Sequence, residues 1–282
     1  MTPVSSTGQP SRRAFTGLLT AGAGLIALSA CTPETSTPSP AAVDAPSGTP
    51  SATATTQAPE VTPAAAATST QPGPSPSSAA ATQYSLTDPT SPWVVVNKHR
   101  PLNPQIYVPA DLVQPAVRLA VSGEASLLNS TTAAAAEKMF GAAAAEGVIM
   151  ALASGYRSYS TQVATYNGYV AGSGQAAADR ASARPGFSEH QTGWSFDISD
   201  GGGACSFQPC FAEQPAAVWA KANAHKFGFV VRYPWMFHEI TGYFYESWHL
   251  RYIGVEAATA MATGGIATLE EYFGLEAAPD YL

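Results

Sequence analysis

The sequence predicts an α+β domain, a mixed or antiparallel sheet flanked by helices, set behind a long segment that cannot fold on its own. Three observations predict this. Strand-like and helix-like stretches interleave from Tyr84 onward without a regular βαβ repeat. No glycine-rich phosphate loop opens any of the helical stretches. Residues 32–83 are nearly all Pro, Ala, Ser, Thr, Gly and Gln, whereas large apolar side chains return at residue 84.

The N-terminal end reads as an address. Arg12-Arg13 precede an apolar run from Ala14 to Ala30 that is broken by Gly17, Gly22 and Gly24, shorter than the ~20 residues a membrane span needs. The run ends Leu28-Ser29-Ala30-Cys31, which resembles a bacterial lipobox, with Cys31 as the lipidation site. Residues 1–31 are therefore expected to be a lipoprotein signal peptide, with an uncleaved anchor as the alternative. The arginine pair suits twin-arginine export, and a general secretory signal also starts with basic residues. Residues 32–83 hold only Glu34, Asp44 and Glu60 as charges. With little apolar surface to bury they are expected to be a disordered linker. Its reach is roughly 40 Å as flexible coil and about 160 Å if fully polyproline-like.

Residues 84–282 are expected to form the single catalytic domain. The whole chain is 12% charged with a formal net charge of −7, and from Tyr84 the acidic residues still outnumber the basic ones. That balance excludes a basic nucleic-acid-binding surface. Trp93–Asn97 is a β-branched run with the pattern of a strand. Residues 132–146 form an alanine-rich helical stretch ended by Gly147, and Val148–Ala153 reads as a buried strand. Helices are predicted over Ser160–Val170 and Gln175–Ser182, the second stopped by Arg184-Pro185-Gly186. Pro215–Phe227 is a further helix closed by Gly228, and Phe229–Tyr233 a strand closed by Pro234. Helices over Val255–Thr263 and Thr268–Phe273 end the chain, with Thr268-Leu-Glu270-Glu271 as an N-cap signal.

The chemistry concentrates in Ser188-Glu-His190-Gln-Thr-Gly193-Trp-Ser195-Phe-Asp197-Ile198. Alternation from Gly193 sends Trp194, Phe196 and Ile198 to the core and Ser195, Asp197 and Ser199 to the opposite face. Gly193 leaves room for His190 to turn toward Asp197. A histidine and a carboxylate so placed can supply two ligands to Zn²⁺. Glu246-Ser-Trp248-His249 offers a third in His249, with Glu246 free as a general base. Spacing alone leaves a second reading open, in which these are hydrogen-bonded core histidines. His99, His225 and His238 fit solvated positions better than ligation. Cys205 and Cys210 could ligate a metal, but an exported location favours a disulfide pinning a local loop.

These motifs together resemble the VanY-type D-alanyl-D-alanine carboxypeptidases, zinc peptidases of the bacterial cell wall. The resemblance rests on Ser188-x-His190-x-x-Gly193-x-Ser195-x-Asp197 followed by Glu246-x-Trp248-His249. It extends through Ser154-Gly-Tyr-Arg157-Ser158, Gln162, Ser182-Ala-Arg184-Pro-Gly186, Phe227-Gly-Phe229, Arg232-Tyr233-Pro234, Thr241-Gly-Tyr243 and Leu250-Arg251-Tyr252. It covers essentially residues 93–273 and implies a D,D-peptidase/Hedgehog-like fold. It implies one Zn²⁺ per chain held by His190, Asp197 and His249, with Glu246 as base and Arg157 as the cation facing the developing oxyanion. It also implies that Gln162, Ser188, Tyr233 and Trp248 line the pocket for the terminal D-alanine. Ser195 and Ser247 depart from the pattern, standing where Ala and Pro are common.

The expected activity is removal of the C-terminal D-alanine from peptidoglycan stem peptides by a lipid-anchored monomer on the outer face of the cytoplasmic membrane. The alternatives are an L,D-carboxypeptidase acting on tetrapeptide stems and a non-catalytic wall-binding lipoprotein.

Overall fold

The computed structural model describes residues 84–282. The expectations for residues 1–83, Cys31 among them, lie outside the described residues. Two short strands, β1 (Leu112–Val113) and β2 (Leu128–Asn129), pair antiparallel. Helix α1 (Ser130–Ala145) starts two residues earlier than its alanine run because the Asn129 side chain accepts hydrogen bonds from the Thr131 and Thr132 amides. Such a cap contributes about 1 kcal/mol. Then follow β3 (Ala151–Ser154), α2 (Tyr159–Ser173), α3 (Gln175–Ala181), β4 (Ser195–Ser199), α4 (Pro215–Asn223) and β5 (Phe229–Tyr233). The chain ends through α5 (His238–Thr241), β6 (Glu246–Tyr252), α6 (Val255–Gly264) and α7 (Leu269–Phe273). No helix among the described residues is long and apolar enough to cross a membrane.

The main sheet has four strands in the order β3-β4-β6-β5, with every neighbouring pair antiparallel. Alternation separates its two faces. Phe196 and Ile198 of β4, Leu250 of β6, Leu152 of β3 and Phe229 of β5 share one core with Ala133, Ala136, Met139 and Phe140 of α1 and Ala216, Trp219 and Ala220 of α4. Each large apolar side chain removed from water there stabilises the fold by roughly 1.5–3 kcal/mol. The alanines let both helices approach the sheet closely.

On the opposite face Asp197 stands across from His249, and Ser195 across from Arg251. That face is also buried: every residue of β4 and residues 247–251 of β6 are out of solvent.

Several sequence expectations change, and the strand expected over Val148–Ala153 runs instead from Ala151 to Ser154. Trp93–Asn97 is buried but joins no ladder beyond an isolated bridge from Asn97 to Arg100. Its carbonyls are taken instead by side chains, Val94 O by Arg251 and Val95 O by Arg100. The stretch 215–227 is an α-helix only to Asn223 and a 3-10 turn from Ala224 to Phe227. Trp194 packs with Val94, Val96 and Leu102, away from the main core. Gly193 has a reason other than room for His190. Its φ is +71°, and a Cβ there would lie 2.8 Å from the Asn129 amide nitrogen, whose N–H donates to Gly193 O. Glycine meets both demands at no steric cost. The capping box at Thr268 and Glu271 is as expected.

Candidate metal centre and cleft

Three side chains from two adjacent strands and one turn converge beside the sheet. Asp197 and His249 are cross-strand partners on β4 and β6, close enough for their side chains to meet. His190 comes from the 3-10 turn Glu189–Thr192 that leads into β4. One ligand atom from each of His190, Asp197 and His249 lies within 4.8 Å of the other two, and all three residues are buried. His190 Nε2 is 3.3 Å from Asp197 Oδ2, and His249 Nδ1 is 3.1 Å from Asp197 Oδ1.

The second nitrogen of each imidazole is already engaged, which fixes which nitrogen faces the centre. His190 Nδ1 lies 2.7 Å from Gly155 O, a pure acceptor, so it carries the proton and leaves the Nε2 lone pair inward. His249 Nε2 lies 3.3 Å from Glu189 Oε2, and its Nδ1 faces inward. Asp197 Oδ1 is buried without a hydrogen-bond partner. Two imidazole lone pairs and a carboxylate oxygen turned toward one point are a donor set that fits Zn²⁺ and leaves further coordination open.

The surroundings are electrostatically negative. Burial alone would lower the His249 pKa, but the adjacent carboxylates of Asp197 and Glu189 outweigh it and push the ring up to about 9. A positive charge, whether a proton on His249 or a metal ion taking its place, is thus favoured at this spot. Asp197 is held far below the usual carboxylate range. Burial opposes that shift, and the attraction of the His190 and His249 rings, when they carry positive charge, overrides it.

Glu246, at the start of β6, has a carboxylate oxygen 3.7 Å from His249 Nδ1. It belongs to no ligand cluster. Burial pushes its pKa up to about 8, into the neutral range where a group that takes and returns a proton works best.

The centre opens into a cleft of about 750 Å³. Arg157, Ser188, Tyr233 and Trp248 all line it, together with Ser154 and Ser182. Arg157 donates to Gln162 Oε1 at 3.0 Å and Ser154 Oγ at 3.2 Å, which aims its guanidinium into the cleft. Gln162 itself is fully buried and does not line the cleft. It stands behind the wall, donating to Ser182 Oγ and Ala183 O while it holds Arg157. The Tyr233 ring packs on the His249 ring at 5.0 Å. A register shift between Val231 and Tyr233 allows both Arg232 and Tyr233 to reach this face of the sheet. Cys205 and Cys210 are joined by a disulfide.

Sequence reasoning assigned no role to the layer beneath His249. Glu189 is fully buried and accepts hydrogen bonds from Arg232 Nε at 2.8 Å and Arg251 at 3.1 Å while it holds His249. Arg232 also makes a bidentate pair with Glu270 of α7. Burial alone would raise the Glu189 pKa; the two arginines instead hold it well below the usual carboxylate range. The signal was present: lone charges in Phe-Val-Val-Arg232-Tyr and His-Leu-Arg251-Tyr interrupt otherwise apolar strands, and such charges are rarely buried unpaired.

Residues 125–255 match the model of a protein family described as VanY, D-alanyl-D-alanine carboxypeptidase. A relative from Bacillus subtilis, described as putative carboxypeptidase YodJ, is 39% identical over 191 residues, which are 67% of this chain and 69% of the relative. A D-alanyl-D-alanine carboxypeptidase of Enterococcus faecalis is 39% identical over 149 residues, 50% of this chain and 53% of the relative. Among solved structures, that of the LdcB LD-carboxypeptidase superposes with a TM-score of 0.62 at 38% identity, covering 69% of this chain and 89% of that one. A vancomycin-resistance D,D-pentapeptidase VanY, crystallised with Zn(II), gives a TM-score of 0.53 at 33% identity, covering 64% and 97%.

Proposed function

This chain belongs to the VanY family of D-alanyl-D-alanine carboxypeptidases, and on that premise we propose that its cleft hydrolyses the last peptide bond of peptidoglycan stem peptides, releasing D-alanine. The chain is a zinc metallo-carboxypeptidase. The observation that carries the reading is the convergence of His190, Asp197 and His249, with Glu246 beside them as a non-ligand. Zinc in a three-ligand site supplies Lewis acidity and lowers the pKa of water to near 7.

The side chains do the rest. Glu246 takes the proton of the attacking water and returns it to the departing D-alanine amine. Arg157 offsets negative charge that develops on the carbonyl oxygen; removing such a donor typically costs about 10²–10³ in rate. Ser154, Ser182 and Ser188 give the same wall hydroxyl donors for a terminal carboxylate, while Gln162 acts through Arg157. Glu189 keeps His249 in the tautomer and orientation that present Nδ1 to the metal.

D-alanine release from synthetic pentapeptide and tetrapeptide stems tests the reading. Preference for the pentapeptide is the expected result. Preference for the tetrapeptide would make the enzyme an L,D-carboxypeptidase, a reading favoured by the likeness to LdcB.

The same proposal places the protein outside the cytoplasm as a lipid-anchored monomer whose partners are stem peptides and the membrane. The lipobox-like Leu-Ser-Ala-Cys31 supports it, and so does a disulfide, which suits an oxidising compartment. The two acyl chains of a diacyl modification suffice for stable attachment. Cys31→Ala should move the protein from the detergent phase to the soluble fraction; retention would point to an uncleaved anchor.

A further inference from the structure

The cleft has a second wall, unlike the polar one around Arg157. Phe207, Gln208 and Pro209 line it, within the loop that the Cys205–Cys210 disulfide closes. Phe207 is 46% exposed despite its apolar ring. It meets Trp248 edge to face at 6.0 Å, one residue before the ligand His249. The loop is fastened at both ends, since Cys205 packs against the main core and Phe211 is fully buried in it.

Its backbone is held in a conformation that side chains rarely adopt. Cys205 and Phe207 have φ of +55° and +57°. Among the described residues the one other non-glycine with positive φ is Met236, next to the cleft residue Trp235. Conformations of this kind persist where the surroundings over-determine them, and they cluster at ligand clamps.

We propose that Phe207 is a specificity-determining residue, presented by the disulfide-closed loop to the part of the stem peptide on the amino side of the scissile bond. The proposal rests on the carboxypeptidase reading above. A carboxypeptidase holds one residue on the leaving side, and the carboxylate of that residue needs the hydroxyl donors of Ser154, Ser182 and Ser188 on the polar wall. An aromatic edge above Trp248 offers a carboxylate nothing. A single alanine fills a small part of about 750 Å³, so the apolar wall meets the residues that remain after cleavage.

The test uses the full chain loaded with zinc and two substrates, an intact stem pentapeptide and acetyl-D-alanyl-D-alanine. Phe207→Ala should raise KM for the stem peptide about 5- to 10-fold, the size of one lost aromatic contact. The turnover number, zinc content and activity on the short substrate should stay as in the parent, and Phe207→Tyr should restore KM. Cys205→Ser/Cys210→Ser should show the same pattern with intact zinc.

Equal losses on both substrates, loss of zinc, or an unchanged KM would overturn the proposal. Calorimetric binding of the intact stem peptide reads the contact without turnover. A parent chain that binds the stem peptide but releases no D-alanine would refute the hydrolytic reading. Weaker binding by Phe207→Ala would still uphold the contact, and equal binding would overturn it.

Discussion

The floor beneath His249 and the cleft above it each set a glutamate against the same imidazole, one fully buried and one half-buried, and the two glutamates behave as opposites. Glu189 in the floor faces Arg232 and Arg251 and is held deep in its ionised form. Glu246 at the cleft is pushed by burial to about 8. Placement beside a histidine therefore does not define a carboxylate's role. The charges that accompany it do: fixed cations make a rigid positioning group, and burial without a bound cation makes a group able to exchange a proton.

The largest expected effect breaks that contrast from the cleft side. Glu246→Gln keeps the volume but cannot accept a proton, so turnover should fall by about 10²–10⁴. Zinc content and KM should change little, because the lost interaction belongs to the transition state. Near-normal turnover with full zinc would remove the base assignment, and loss of zinc would make Glu246 a ligand.

The floor should answer the same change differently. Glu189→Gln strips Arg232 and Arg251 of a shared counter-charge in a fully buried place. Breaking such a pair typically destabilises by about 3–5 kcal/mol. The unfolding midpoint in denaturant should drop accordingly, whereas Glu246→Gln, which removes a carboxylate whose charged form burial disfavours, should hold or raise it. Comparable stability in the two variants would erase the distinction.

The smallest effect sharpens it through pH. The folded-state pKa of Glu189 lies below its ordinary 4.5, so its stabilisation is fully present above that value and is lost as pH falls through the folded pKa. Unfolding measured at successive pH values below 4.5 should show a shallower acid loss in Glu189→Gln than in the parent. An identical slope would mean that folding does not depress the Glu189 pKa.

The helices and the reacting motif were legible because each carries local punctuation. Thr268 and Glu271 announce α7, Gly228 closes the helical stretch before β5, and alternation around Phe196 and Asp197 marks β4. β6 was not legible as a strand. Its residues Glu-Ser-Trp-His-Leu-Arg-Tyr keep both faces buried, and two charged side chains of the polar face take partners far along the chain. His249 and Arg251 meet Glu189 from some sixty positions away. Trp93–Asn97 misled for the converse reason: β-branched residues need burial, and here arginine side chains and nearby loop carbonyls, not a neighbouring strand, satisfy the backbone. Gln162 shows the limit of family likeness, which placed it in the pocket lining, whereas it stands one layer behind the cleft.

The strand order also sets a schedule. β6, the last strand to be made, lies between β4 and β5. While the chain is being synthesised, the inner edges of both older strands have no partner, and the side chains that close the metal centre have not yet emerged. Unpaired edges of this kind invite association between chains. A nascent chain that ends before Glu246 should therefore be the form most in need of a chaperone, and metal capture should be among the last events of its maturation.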